Sequence, residues 1–357
     1  MKMEIKRNLI AAMVVLAMVG AAGCSGQTAP DSANNTEADT EIKGEGVVNL
    51  YTSRHYDTDE ALYDNFTEET GIEVKRIEGK ADELIERIKA EGDNSPADVL
   101  ITVDAGNLWR AEQAGLLQPV SSSTLESAIP ENLRHSEGNW FGLSTRARII
   151  VYSKERVQPT ELSTYEALAQ PKWKGRVCIR SSSNIYNQSL VASKIESKGS
   201  EAAGEWVTSL VSNFARPPEG NDTAQIKAVA AGTCDVALVN HYYVARLAKS
   251  DKPEDKEVSD KVAAFFPAPT HVNISGAGLV ASAPNKDNGI AFLEYLVTPA
   301  AQEIFAAGNN EYPIISTVQV TPTLQAFGTF ESDEVNVAAY GSNNPDAIEV
   351  MDRAGWK

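Results

Sequence analysis

"VVNLYTSRHYDTDEALYDNFTEETGIEVKRI", residues 47–77, reads as strand, helix, strand. Val47, Val48 and Leu50 form an apolar run at its start. Asp57 then stands as a helix cap with Glu60 three residues on. Leu62 and Phe66 lie one helical turn apart, and Gly71 supplies the stop. "IEVKRI" resumes the extended pattern. The rhythm continues outward. "KADELIERIKAEG" places Leu84, Ile85 and Ile88 on one helical face, "ADVLITVD" is a strand, and "AGNLWRAEQAG" is a helix. This β-α-β-α-β-α order predicts a parallel sheet with helices on both faces.

A second unit repeats the pattern. "GRVCIRSS" is a strand and "IYNQSLVASKIESKG" a helix; "EAAGEWVTSLVSNF" and "NDTAQIKAVAAG" are helices. "DVALVN" is a strand, "YYVARLAKS" a helix and "VAAFFP" a strand. Between the two units runs the long extended stretch "WFGLSTRARIIVYSK", and after the second comes "THVNISGAGLVASAP", also extended. Two extended crossings between two α/β lobes predict a hinged binder with its ligand in the cleft. The helices "NGIAFLEYLVT" and "PAAQEIFAAG" are expected to pack back on the first lobe. The boundaries follow: residues 46–140 and 276–325 in the N-lobe, residues 141–275 and 326–357 in the C-lobe.

The first residues carry different information. Lys2, Lys6 and Arg7 precede an apolar stretch from Leu9 to Val19, and small residues lead to Gly23 and Cys24. Residues 1–23 read as an export signal, too short for a membrane-spanning helix. The small residues before Cys24 are similar to a bacterial lipoprotein cleavage site, which makes Cys24 a lipidated N-terminus. The competing reading is ordinary cleavage near Ala22 and a free protein. Residues 24–45 are polar, without apolar period, and read as a disordered tether.

The net charge of −17 argues against nucleic acid as a partner. Apart from Cys24, the cysteines are Cys178 and Cys234. In an exported chain they form either a disulfide between neighbouring strands or two small buried residues.

Ligands of open α/β sheets bind beyond the carboxyl ends of the strands, where helix N-termini converge. Tyr56 follows the first strand and precedes a helix. Tyr186 opens the helix after "RVCIRSSSN", and Tyr242 and Tyr243 open the helix after "DVALV". One tyrosine thus comes from the first lobe and three from the second. Phenol normally keeps its proton near neutrality, but a trivalent cation displaces it. A hard cation takes anionic oxygen ligands. Tyrosines with one histidine fit ferric iron. Zinc fits poorly, because no cysteine or histidine pair has metal spacing, and no Asp-rich loop offers a calcium site. Taken one at a time, these tyrosines also fit as aromatics of a cleft rim or a core.

These residues resemble a known family. "YTSRHYDTDEALYDNFTEETGIEVKRIEGKADELIERIKAEGDNSPADVLITVD", "RSSSNIYNQSLVAS", "GNDTAQIKAVAAG", "VNHYYVARL" and "NNEYPI" resemble the ferric-iron-binding proteins of bacterial ABC transporters, in particular the iron-uptake binding proteins best known in cyanobacteria. The resemblance runs from about Val47 to Lys357. It implies a type II periplasmic-binding-protein fold and a monomeric receptor for Fe(III) at the periplasm or cell envelope. It also implies an inner-membrane permease with an ATPase as partners. By position it implies a metal shell of His55, Tyr56, Tyr186, Tyr242 and Tyr243, with His55 varying among relatives. Arg146 in "STRAR" matches an arginine that offsets phenolate charge; the alternative is a surface arginine near the hinge. Cys178 and Cys234 match paired cysteines in some relatives. His241 matches no role and is expected to be structural or solvent-facing.

Two other functions compete. An anion or polyamine receptor on the same fold needs donors, or acidic groups with aromatic walls, and has no use for the tyrosines. An exported hydrolase would carry a Gly-x-Ser-x-Gly elbow, a His-Glu-x-x-His or paired carboxylates in a motif; the sequence has none of these, so the expectation is a binding protein and not an enzyme.

Overall fold

In the computed structural model, which describes residues 45–357, the first strand–helix–strand unit forms as its pattern predicts. Strands β1 (Val47–Thr52), β2 (Glu73–Glu78) and β3 (Val99–Val103) are parallel, with helices α1 (Glu60–Thr70) and α2 (Ala81–Glu91) between them. One local detail differs. Helix α1 starts after a single 3-10 turn at Asp57–Asp59, so its cap position is Asp59 rather than Asp57. Asp59 makes no capping bond because Arg54 takes both its oxygens, at 2.6 and 2.9 Å. Gly71 ends α1 in the left-handed region at φ 78°, where a side chain would be strained.

Past α3 (Ala105–Gln113), β4 (Leu117–Gln118) and α4 (Ser123–Ala128), the two extended stretches become β5 (Phe141–Ser153) and β9 (Val272–Val280). They lie side by side in the middle of the sheet, whose order is β2-β1-β3-β9-β5-β7-β6. The parallel expectation holds for β1, β2 and β3 and again for β6 (Val177–Cys178) and β7 (Val236–Asn240). It fails at the centre, where β9 runs antiparallel to β3 and β5, and β5 runs antiparallel to β7. Strand β5 changes partner along its length. Residues from Phe141 to Ala147 pair with β9, and those from Arg148 onward pair with β7 and with β8 (Val262–Phe265). One strand therefore serves both lobes, and β10 (Tyr312–Pro313) adds to its first half.

The second lobe also contains α5 (Ile185–Lys198), α6 (Ser200–Val211), α7 (Asp222–Ala230), α8 (His241–Lys249) and α9 (Pro253–Lys261). The predicted strand "GRVCIRSS" pairs only over Val177–Cys178. Cys178 Sγ is bonded to Cys234 Sγ at 2.05 Å, which ties β6 to the segment entering β7. Helices α10 (Lys286–Tyr295) and α11 (Pro299–Asn309) return to the first lobe, where Phe292 and Phe305 share a core with Leu50 and Phe66. The Phe66 and Phe292 rings meet edge to face at 5.0 Å, and burying each phenyl contributes roughly 1.5–3 kcal/mol. The chain ends in α12 (Pro322–Gln325), α13 (Ala338–Ser342) and α14 (Asn344–Arg353). Helix α13 packs on both α3 and α5, and α14 on α5 and α6.

Gly341 of α13 permits that contact, because a Cβ there would overlap the Cβ and ring of Trp109. Gly341→Ala is expected to lower unfolding stability by roughly 1–3 kcal/mol through overpacking. Thermal denaturation checks this; an unchanged midpoint would show that α13 moves freely away from α3.

The expected export signal, the Cys24 lipid site and all but the last residue of the tether lie outside the described residues. Among the described residues no helix is long and apolar enough to cross a membrane.

Candidate metal centre

The tyrosines stand where strands hand over to helices. Tyr56 lies between β1 and α1, Tyr186 in the first turn of α5, and Tyr242 and Tyr243 in the first turn of α8 directly after β7. The structure brings them together. Tyr242 Oη donates to Tyr186 Oη at 3.4 Å, and the Tyr242 and Tyr243 rings are 4.5 Å apart. Tyr56 joins from the first lobe through Arg246, whose guanidinium lies 4.8 Å from the Tyr56 ring, 4.9 Å from Tyr242 and 5.4 Å from Tyr243. His55 stands at the edge. It is exposed, its Nδ1 is 3.3 Å from the Ser53 carbonyl oxygen, and its ring is 5.4 Å from that of Tyr56. Among the described residues it makes no hydrogen bond to the other three phenols.

Positive charge surrounds the phenols. Arg146, Arg148 and Arg180 stand 5.8, 5.9 and 5.5 Å from the Tyr186 ring, and Arg54 stands 4.9 Å from that of Tyr56. Arg146 is 2 % exposed and so is no surface residue. Its Nη2 donates to Ser275 Oγ at 3.0 Å, while its Nε and Nη1 have no partner among the described residues. A buried guanidinium with unused donors beside hydroxyls is suited to receive negative charge that forms there. Arg148 is already committed, to Asp222 and Asn187, both at 2.8 Å.

The phenols themselves resist ionisation. Burial raises Tyr186, Tyr242 and Tyr243 above the usual phenol value; charge on Tyr243 or Tyr56 would raise Tyr186 further, and charge on Tyr186, Tyr56 or Tyr243 would raise Tyr242. Arg146 pulls the other way on both. The site therefore holds protons until a stronger positive charge arrives. Among the described residues no group of three or more His, Cys, Asp and Glu is placed to bind a metal, which leaves the phenols as the oxygen donors.

Several residues that build the site were absent from the sequence reading. Glu311, fully buried, accepts from Arg54 Nη1 and Ser144 Oγ, both at 2.7 Å. Burial would raise its carboxyl, but Arg54 and Arg146 outweigh burial and hold it at about 2. Asp104, fully buried with φ 89°, accepts from Gly106 N at 2.9 Å, Ser189 Oγ at 2.6 Å and Asn273 Nδ2 at 2.9 Å. Burial raises its carboxyl against those bonds and the Arg146 charge. A non-glycine residue held at such an angle costs of order 1–3 kcal/mol of strain. Arg246 had a legible signal, since it follows Tyr242 by one helical turn on the same face. Isolated charges such as Arg54 and Glu311 carry no periodicity, so the sequence offered none for them.

Of the two readings open for His241, structural or solvent-facing, the structure gives the first, since the residue is fully buried. Its Nδ1 accepts from Ala147 N at 3.1 Å and its Nε2 faces the Asn310 carbonyl oxygen at 2.8 Å, so it joins α8 to β5 and to the end of α11. Burial lowers its imidazole to about 4, which keeps it neutral in that role.

Comparison with known proteins adds a second line. Residues 61–331 match the family described as bacterial extracellular solute-binding protein. The chain is 55% identical over 317 residues to Iron uptake protein A2 of a Synechocystis strain, covering 87% of this chain and 90% of that protein. It is 29% identical over 312 residues to the major ferric iron-binding protein of Neisseria meningitidis serogroup B, covering 87% and 93%. Among solved structures it is similar to a Trichodesmium protein (IdiA, FutA) in complex with iron and citrate ligands. The identity there is 64% and the TM-score 0.86, over 87% of this chain and 100% of that one.

Proposed function

The chain belongs to the bacterial extracellular solute-binding proteins, among their iron-uptake members, and from that premise we propose that it captures Fe(III) in the interlobe tyrosine cluster and delivers it to an ABC transporter. The observation that carries this reading is the convergence of Tyr56, Tyr242 and Tyr243 around one guanidinium, Arg246, with Tyr186 joined to Tyr242 through their hydroxyls. Phenolates are hard, anionic ligands, and they match a hard trivalent cation. Tyr56, Tyr186, Tyr242 and Tyr243 hold the metal, and Arg146 offsets the charge that forms on ionisation. His55, exposed beside Tyr56, is the candidate fifth ligand from the first lobe. The protein acts as a receptor with no catalytic step, as a monomer.

The N-lobe comprises residues 46–140 and 276–325, and the C-lobe residues 141–275 and 326–357. Ligands on both lobes make closure depend on the metal, because contacts made only in the closed state favour it. Residues 1–23 direct export, lipidation at Cys24 anchors the receptor at the membrane surface, and residues 24–45 give it reach. An inner-membrane permease and its ATPase receive the iron.

Loading the purified protein with Fe(III) tests the reading. A visible phenolate-to-iron absorption band is expected, together with compaction in solution scattering. Protein that stays colourless with excess Fe(III) at neutral pH would count against a tyrosine site and favour an anion or polyamine ligand.

A further inference from the structure

We propose that Asp104 is a positioning residue for the metal ligand Tyr186, acting through Ser189. This inference rests on the iron-receptor reading and deepens it. Ser189 lies three residues after Tyr186 in α5, on the adjoining turn, so what fixes one fixes the other. Asp104 stands in the first lobe, between the end of β3 and the start of α3. Its carboxylate meets three elements at once: the amide of Gly106 in α3, the hydroxyl of Ser189 in α5 and the side-chain amide of Asn273 in the crossing strand β9. Asn273 is itself fixed, since its Oδ1 accepts from Ala105 N at 3.0 Å. The carboxylate thus references the first turn of α5 to the strand on which the lobes turn. The left-handed backbone at Asp104 supports this reading, because strain of that kind persists where the surroundings over-determine it and collects at functional sites.

Packing around the carboxylate is tight. A Cβ on Gly106 would lie 3.1 Å from Ile185 Cδ1, the residue just before Tyr186. Arg110 Nη2 adds a bond to Gln188 Oε1 at 3.2 Å on the same faces of α3 and α5. None of these groups belongs to the tyrosine cluster, yet together they set where α5 begins.

Ser189→Ala removes one hydroxyl and leaves Asp104 its bonds to Gly106 and Asn273. Iron transfer to an excess of competing chelator is followed by loss of the visible band, alongside thermal unfolding of the iron-free proteins. Ser189→Ala is expected to release iron about tenfold faster, in the range seen when a group supporting a metal ligand is removed, with the iron-free midpoint close to wild type. Asp104→Asn keeps an acceptor for Ser189 but sets its amide against that of Asn273, and it too is expected to speed release. Acting along one chain of contacts, the two changes together should give less than the product of their separate effects. A release rate for Ser189→Ala equal to wild type, or a fully multiplicative double variant, overturns the positioning role while leaving iron binding intact. Wild-type protein that takes up no iron overturns both readings.

Discussion

Tyr242→Phe and Tyr243→Phe are each expected to reduce Fe(III) affinity by more than the ~10–100-fold typical for removing a group that only supports a ligand. In the proposed site each phenolate is a charged donor to the metal, and its loss leaves no equivalent donor in its place. Arg246 covers both rings and cannot donate electrons to a cation. The fold should survive the change. The Tyr242 ring is fully buried and Phe keeps it; what is lost are long hydrogen bonds, from Asn240 Nδ2 at 3.3 Å and to Tyr186 Oη at 3.4 Å. Such bonds contribute roughly 0.5–1.5 kcal/mol net, so iron-free unfolding shifts little. Competition against a chelator of known strength, with the visible band as readout, measures the effect. A variant with wild-type affinity and colour removes that tyrosine from the ligand set.

Acidification is expected to release iron steeply. Burial holds Tyr186, Tyr242 and Tyr243 above the usual phenol value, so in the metal-free protein these groups are protonated at neutral pH. Binding Fe(III) must expel those protons, and protons added from solution therefore oppose the metal. Each phenol that ionises on binding contributes about one decade of affinity per pH unit, in the direction of weaker binding as pH falls. With the four tyrosines engaged, the limit is ~10⁴-fold per unit. Proton release measured in weakly buffered solution on iron addition gives the number directly. A count near zero would mean the phenols bind without ionising, and the tyrosine-ligand proposal would fail. A neutral imidazole is a weaker donor to a hard trivalent cation than an anionic phenolate, so a histidine ligand is expected to be lost before the phenolates on acidification. Comparing the acid titration of His55→Ala with wild type decides whether His55 belongs to the shell: a missing first step assigns it, and identical profiles leave an all-tyrosine site.

The fold was legible wherever a pattern repeats. Alternation of apolar runs and helical periods located β1, α1, β2, α2, β3 and α3 nearly to the residue. The stretches "WFGLSTRARIIVYSK" and "THVNISGAGLVASAP" announced the crossings β5 and β9 by their length and extended pattern. What could not be read was how the crossings join the sheet, since antiparallel pairing at the centre is a property of chain direction in space. The cap of α1 falls two residues later than the sequence suggests because a 3-10 turn at Asp57–Asp59 precedes the helix, and Asp59 leaves the cap unbonded because Arg54 holds its carboxylate, a contact between side chains that no helix signal contains. For the centre, tyrosines at strand ends were visible because their placement is a local feature. The groups around them were not. Glu311 reaches Arg54 across 257 residues, and Asp104 reaches Asn273 across 169, distances over which sequence spacing says nothing.

The change of partner along β5 has a mechanical meaning. Ala147 is the last residue of β5 paired to β9, and Arg148 the first paired to β7. The arginines that face Tyr186, Arg146 and Arg148, flank this junction. Under the proposed closure this junction is the fulcrum, the cluster is seated close to it, and the outer surfaces of both halves are the far ends of the lever arms. A rotation that moves a phenol by a bond length sweeps the far surfaces through a distance several times larger. The displacement is amplified by geometry alone, without strain passed through intervening side chains. Such a closure would write the occupancy of a site the size of one ion onto surfaces large enough for another protein to feel.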